Sequence, residues 1–229
     1  MKKIILVLTL SLNAFGQANR VKPPDTTIFY GGDITVGDPN AQNFVNSNTL
    51  LVPISRTYAA VTIPKNYAAN RVRYFFMNVT ALTPYFYPQD ALYDIRTGVS
   101  EGNGGTSLAS GHAFTSIFVT GREPFGLTEY QVLLMTQSLY NATPGTTYWI
   151  NVTPQCTTTQ EYYNCESQES FLDNTTLETN GINPGAQPPA QMYFNSGYFG
   201  YTWANWCDPQ FGYNSEQCAR ASFGVGVDQ

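Results

Sequence analysis

ALYDIRTG (residues 91–98), then SEGNGGT (100–106) and SLASGHAFTSIFVTG (107–121), is the stretch whose reading decides the fold. Tyr93 and Ile95 alternate with Asp94 and Arg96, the period of two that sends apolar side chains to one face of a strand and polar ones to the other. The glycine-rich segment that follows is turn chemistry, and the next run returns as extended chain, so the unit reads as a hairpin. Working outward, LLVPISRTYAAVTIP (50–64), RVRYFFMNV (71–79) and TEYQVLLM (128–135) are short runs rich in branched and aromatic residues, separated by Pro, Asn and Gly. Beyond Pro144 and Gly145, TYWINVTP (147–154) predicts Tyr148, Ile150 and Val152 on one face, with Trp149, Asn151 and Thr153 on the other. No run outside the N-terminus shows a 3.6-residue apolar period. The expectation is an all-β fold: a single-domain antiparallel β-sandwich of jelly-roll type with disulfide-stapled loops.

MKKIILVLTLSLNAFG (1–16) has the form of a secretory signal, with Lys2 and Lys3 before an apolar run and small residues at Ala14 and Gly16. Cleavage before Gln17 is expected, giving a secreted, extracellular protein. The run is too short to span a bilayer, and no second one follows, so no membrane span is expected in the mature chain. Residues 17–48 read as a loop-rich lead-in with one strand at TTIFY, and residues 49–229 as the sandwich domain. A polar excursion at about 156–191 includes NPGAQPPAQ.

The 229 residues carry a formal charge of −5, which becomes −7 when Lys2 and Lys3 leave with the signal. A phosphate backbone is bound through clustered Lys and Arg, so nucleic acid is not expected as a partner. Charged residues are 12% and aromatic residues 14% of the chain, a balance that suits strands and turns rather than helices.

Cys156, Cys165, Cys207 and Cys218 form an even set, and an exported chain usually pairs such residues. Three connectivities are possible. The local pairs Cys156 with Cys165 and Cys207 with Cys218 are favoured, because each would staple a polar loop too poor in apolar residues to order itself. Zinc ligands usually come two to four residues apart, which these thiols do not. Calcium is the one cofactor considered: Asp33, Asp38 and Asn40 of GGDITVGDPNAQN offer oxygen donors in a tight loop. The same residues also make turns through their own backbone hydrogen bonds.

The aromatic tract MYFNSGYFGYTWANWCDPQFGYNS (192–215) offers a ligand surface. Trp203, Trp206 and Tyr213 beside a disulfide could stack on sugar rings. Core packing is the rival reading for Trp203. The sequons at Asn78, Asn141, Asn151 and Asn174 read as accidental behind a signal of bacterial type.

YDIRTGVSEGNGGTSLASG, PGTTYWINVTPQC and FYGGD with DPNAQN resemble elements found in the same order in a group of secreted bacterial proteins. The likeness spans most of the mature chain. It implies a secreted β-sandwich and brings no activity, ligand or catalytic residue with it. GGTSLASGHAF (104–114) is similar to the nucleophile segment of subtilisin-like proteases, which would make Ser107 the nucleophile. Such an enzyme takes its base from a separate segment, whereas His112 is the single histidine here and lies in the same motif. Gly111 also stands where that family has proline. Asp94 and Arg96 share a strand face and read as an exposed salt bridge, and no pair of acids has a glycosidase spacing.

The functional expectation is therefore a non-catalytic extracellular binding module for carbohydrate, with an extracellular polysaccharide or a surface protein as partner. The first alternative is a structural or adhesive protein of an extracellular matrix or surface. The second is a secreted carbohydrate-active hydrolase.

Overall fold

The computed structural model describes residues 26–33, 43–46, 55–65, 70–81, 90–123, 126–155, 170–175, 181–182, 192–205 and 220–227. The signal-like residues 1–16 lie outside this set. Among the described residues there is no α-helix. The thirteen strands are β1 (Thr27–Tyr30), β2 (Asn43–Asn46), β3 (Ser55–Thr62), β4 (Asn70–Ala81), β5 (Asp90–Thr97), β6 (Thr106–Val119), β7 (Thr128–Ala142), β8 (Thr147–Gln155), β9 (Ser170–Thr175), β10 (Met192–Ser196), β11 (Tyr201–Asn205), β12 (Arg220–Ala221) and β13 (Phe223–Val227).

Every pairing is antiparallel, and hydrogen bonds run through the order β1-β13-β4-β7-β6-β5-β8-β3-β10-β11, with β9 joining β4, β2 and β12. Within that order, β8-β5-β6-β7 is the arrangement of a Greek key. The path folds back on itself as two facing layers. Phe75 of β4 lies 6.1 Å from the ring of Tyr93 on β5, although these strands are three places apart in the order. At about 4.8 Å per strand, a flat sheet would hold them more than twice as far apart. We therefore assign β1, β13, β4 and β7 to a first layer and β5, β8, β3, β10 and β11 to a second.

Two features make the fold-over. Strand β6 is long enough to serve both layers, pairing β5 through Thr106–Phe114 and β7 through Ala113–Val119. At the opposite side, β3 pairs β8 and β4 pairs β7, so two antiparallel strands cross together from one layer to the other. Their corners are tied by Ile63 N–H to Thr146 O (3.1 Å) and Gly145 N–H to Ile63 O (2.7 Å). Gly145 has φ 80°, a turn conformation that side chains with a Cβ rarely adopt.

The core between the layers collects the faces that the alternation predicts. Tyr93 and Ile95 of β5 and Tyr148, Ile150 and Val152 of β8 all enter it, with Phe75, Met77 and Val79 of β4. Phe75 also stacks on Phe223 at 6.2 Å. Burying each such side chain contributes roughly 1.5–3 kcal/mol. The outer face of the first layer is covered too: Tyr30, Tyr74 and Phe76 cluster there. Gly224 and Gly226 of β13 stand opposite Phe76 and Tyr74, and a Cβ at either would strike the facing ring. The lead-in at residues 17–48 supplies β1, which closes on β13, and β2; the polar excursion supplies β9.

Candidate functional site

Neighbours in antiparallel register share a face, so the outward residues of the second layer can be read off the pairing. Asp94 stands between Ser110 of β6 and Asn151 of β8, Arg96 between Ser107 and Trp149, and Leu92 between His112 and Thr153. Further along the same layer, Arg56 of β3 faces Asn195 of β10. These rows form a cleft of about 320 Å³ lined by Arg56, Leu92, Asp94, Arg96, Ser107, Ser110, His112 and Asn151. That volume is at the low end for small-ligand sites, roughly 300–1,000 Å³.

Asp94 is the hub. It is 5% exposed and accepts from Tyr58 Oη at 2.9 Å, Arg96 Nε at 2.5 Å and Ser107 Oγ at 2.6 Å. Arg96 also donates from Nη1 to Gly104 O at 2.9 Å, and its guanidinium sits 5.0 Å from the ring centre of Trp203 and 5.8 Å from that of Tyr58. Burial, then the charge of Asp94 and its hydrogen bond, pushes the Tyr58 phenol up to about 12. Burial alone would lower the Arg96 pKa, but the hydrogen bond and charge of Asp94 outweigh it and the pKa is raised. Asn151 is oriented by donating to Thr57 O and accepting from Thr153 Oγ1, both at 2.9 Å. Arg56 differs from all of these. Its Nε is buried and has no hydrogen-bond partner among the described residues.

Trp203 lies at the edge of this site, and its ring is committed to packing. It is 9% exposed, 4.7 Å from the Tyr58 ring and under the cation of Arg96. Gly104 packs so closely that a Cβ there would enter the indole. Trp203 also has φ 48°, in a register shift between β10 and β11, a conformation that is costly for a bulky residue and is held by these contacts. Among the described residues of this tract, the open aromatics are Tyr198 and Phe199, 57% and 44% exposed in the turn between β10 and β11, in edge contact at 4.9 Å. Trp206 and Tyr213 lie outside the described residues, as do Asp38, Asn40 and all four cysteines.

Asp33 is 6% exposed, accepts from Tyr30 Oη at 2.5 Å and pairs with Arg122 Nη1 at 2.8 Å. Among the described residues, no three His, Cys, Asp or Glu are grouped to hold a metal. The Asp94–Arg96 pair, expected on an exposed surface, is half-closed: its side chains are 6% and 22% exposed, because Tyr58, Trp203 and the 98–105 turn pack over it. Ser107 Oγ donates its hydrogen bond to Asp94 Oδ1, while His112 sits opposite Leu92, four residues along β5 from Arg96, so the two do not form a nucleophile–base pair. Two of the sequon asparagines, Asn78 and Asn151, are buried and closed to modification in the folded chain.

No protein-family model matches the chain, and no curated protein matches it. Among the described residues, no helix is long and apolar enough to cross a membrane.

The members of the cleft that sequence reasoning missed are Arg56, Ser110 and Asn151. The alternation already puts Asn151 and Asp94 on polar faces. That β5 lies between β6 and β8, and β3 beyond β8, is a matter of topology with no local signal.

Proposed function

We propose that this chain is a secreted, disulfide-stapled β-sandwich of jelly-roll type whose second layer carries a non-catalytic binding cleft for carbohydrate. The observation that carries this reading is the convergence of hydroxyl, amide, imidazole and guanidinium groups from β3, β5, β6 and β8 on one cleft, with the buried Asp94 carboxylate holding two of them, Arg96 and Ser107. Sugar hydroxyls both donate and accept, and such a fixed mixed set meets them without reorganising. Hydrolysis of a glycosidic bond takes two carboxylates flanking one bond. Asp94 is the one carboxylate lining the cleft among the described residues, and three donors already occupy it.

The test is retention of the protein from Gln17 onward on a panel of soluble and insoluble polysaccharides, with free sugar assayed in the supernatant. Ser110 is exposed on the cleft wall, so Ser110→Trp fills the cleft without touching the core. Retention that Ser110→Trp abolishes, without sugar release, supports the reading. Sugar release supports the hydrolase instead. A structural or adhesive role is favoured by Phe118, Val119 and Met135, which are 48%, 61% and 38% exposed on β6 and β7. It predicts self-association that Ser110→Trp leaves intact.

A further inference from the structure

We infer that the cleft selects an acidic saccharide, with the carboxylate of a uronate ring held by Arg56. The inference rests on the binding reading above and adds the charge of the ligand.

Among the described residues, two guanidiniums and one carboxylate line the cleft. The carboxylate is spent: Oδ2 of Asp94 takes Tyr58 and Arg96, and Oδ1 takes Ser107. Arg96 is likewise engaged by Asp94, by Gly104 O and by the Trp203 ring. The cleft is thus left with the charge of Arg56. The residue in register with Arg56 on β10 is Asn195, an amide that brings no counter-charge. Arg56 Nε is buried and without a hydrogen-bond partner among the described residues, so the protein spends no acceptor on it. A guanidinium presents its donors as a planar fork that matches a carboxylate two-to-two, a fit that a neutral hydroxyl does not reproduce.

The charge of the whole chain does not supply this preference. At −7 after loss of the signal, the protein repels a polyanion in general, so an acidic polymer must be recognised at a defined point rather than by bulk attraction. One fixed arginine in a cleft of about 320 Å³ does this for one sugar ring at a time.

The experiment measures binding of the protein from Gln17 onward to polygalacturonate, to its methyl ester, to a neutral glucan and to a sulfated glucan. The ester keeps the polymer backbone and removes the charge. The expected result is at least tenfold tighter binding of the acid than of its ester, a preference weakened by added salt. Arg56→Gln should bring the two polymers to equal affinity, and Arg56→Lys should keep only part of the preference. Should Arg56→Gln fail to fold, Ser110→Glu, which adds a carboxylate on the exposed cleft wall, is expected to reverse the preference toward the ester. Equal binding of acid and ester by the wild type overturns the inference, as does a preference that survives both variants. Retention on the neutral or the sulfated glucan alone overturns the uronate assignment but leaves a carbohydrate cleft standing. Retention on no polysaccharide overturns both.

Discussion

The outer faces of the two layers are built from the same parts and differ in closure. On the second layer, Tyr58 donates to Asp94, which pairs with Arg96. On the first, Tyr30 donates to Asp33, which pairs with Arg122, and Arg122 pairs again with Glu129 at 2.5 Å. The first-layer network is sealed. Thr120 Oγ1 donates to Glu129 Oε2 at 2.6 Å, and Asn78 Nδ2 bonds Tyr30 Oη at 2.6 Å and Ser222 Oγ at 2.8 Å. Asn78, Glu129 and Ser222 are fully buried. Two carboxylates there hold one arginine between them, whereas the second-layer cleft opens to solvent with an arginine to spare. A closed network whose carboxylates outnumber its arginine ties β1, β4, β13 and the β6–β7 turn together. An open one with a spare guanidinium is available to a ligand.

The largest effect that tests this contrast comes from the sealed side. Glu129→Ala leaves the Arg122 guanidinium short of its main partner in a buried setting, an expected loss of about 3–5 kcal/mol. In a domain of this size that lowers the melting temperature by on the order of 10 °C. Asp94→Ala should cost less, about 1–3 kcal/mol, because Arg96 keeps Gly104 O and partial access to water. Equal losses in chemical denaturation would erase the distinction between the two faces.

Alkaline stability sharpens it next. The Tyr58 phenol is pushed up to about 12 by burial and Asp94, against an ordinary value of about 10 in the unfolded chain. The folded state therefore holds that proton more tightly. The stability it contributes is complete below pH 10 and is lost as pH rises from 10 to 12, by on the order of 3 kcal/mol. Tyr30 is raised well above the usual range by burial and by Asp33, and adds in the same direction. Urea midpoints across that window should fall for the wild type and fall less steeply in Tyr58→Phe.

Two smaller effects follow. Gly226→Ala on β13 forces the Tyr74 ring aside and disturbs the bond between its hydroxyl and Thr26 Oγ1 at 2.8 Å, at an expected cost of about 1–3 kcal/mol with the cleft unaffected. Ser110→Trp should change the unfolding free energy by no more than about 0.5 kcal/mol, since the site is exposed, while retention on polysaccharide is lost. A large loss of stability there would mean that the cleft wall is part of the packing.

Much of the sandwich was legible because a strand writes its faces into a period of two. Tyr93 and Ile95 against Asp94 and Arg96, and Tyr148, Ile150 and Val152 against Trp149 and Asn151, fall on the faces that their order implies. Trp203 was read less well. Its neighbours on the chain describe an aromatic tract, but what encloses it is Arg96, Tyr58 and Gly104, brought in from about 100 residues or more away along the chain. Asp33 likewise meets a distant partner: Arg122 arrives from another strand pair to pair with it.

By itself, then, the amino-acid order determined the central strands β3 to β8, their inner and outer faces and the turns between them, since these follow from backbone geometry and from interactions within a few residues. The tertiary structure alone decided which outer faces meet, which acid each arginine neutralises and which arginine is left over. Those outcomes depend on strand order and register, and pairing partners that are distant in sequence leaves no mark on the local pattern of either one.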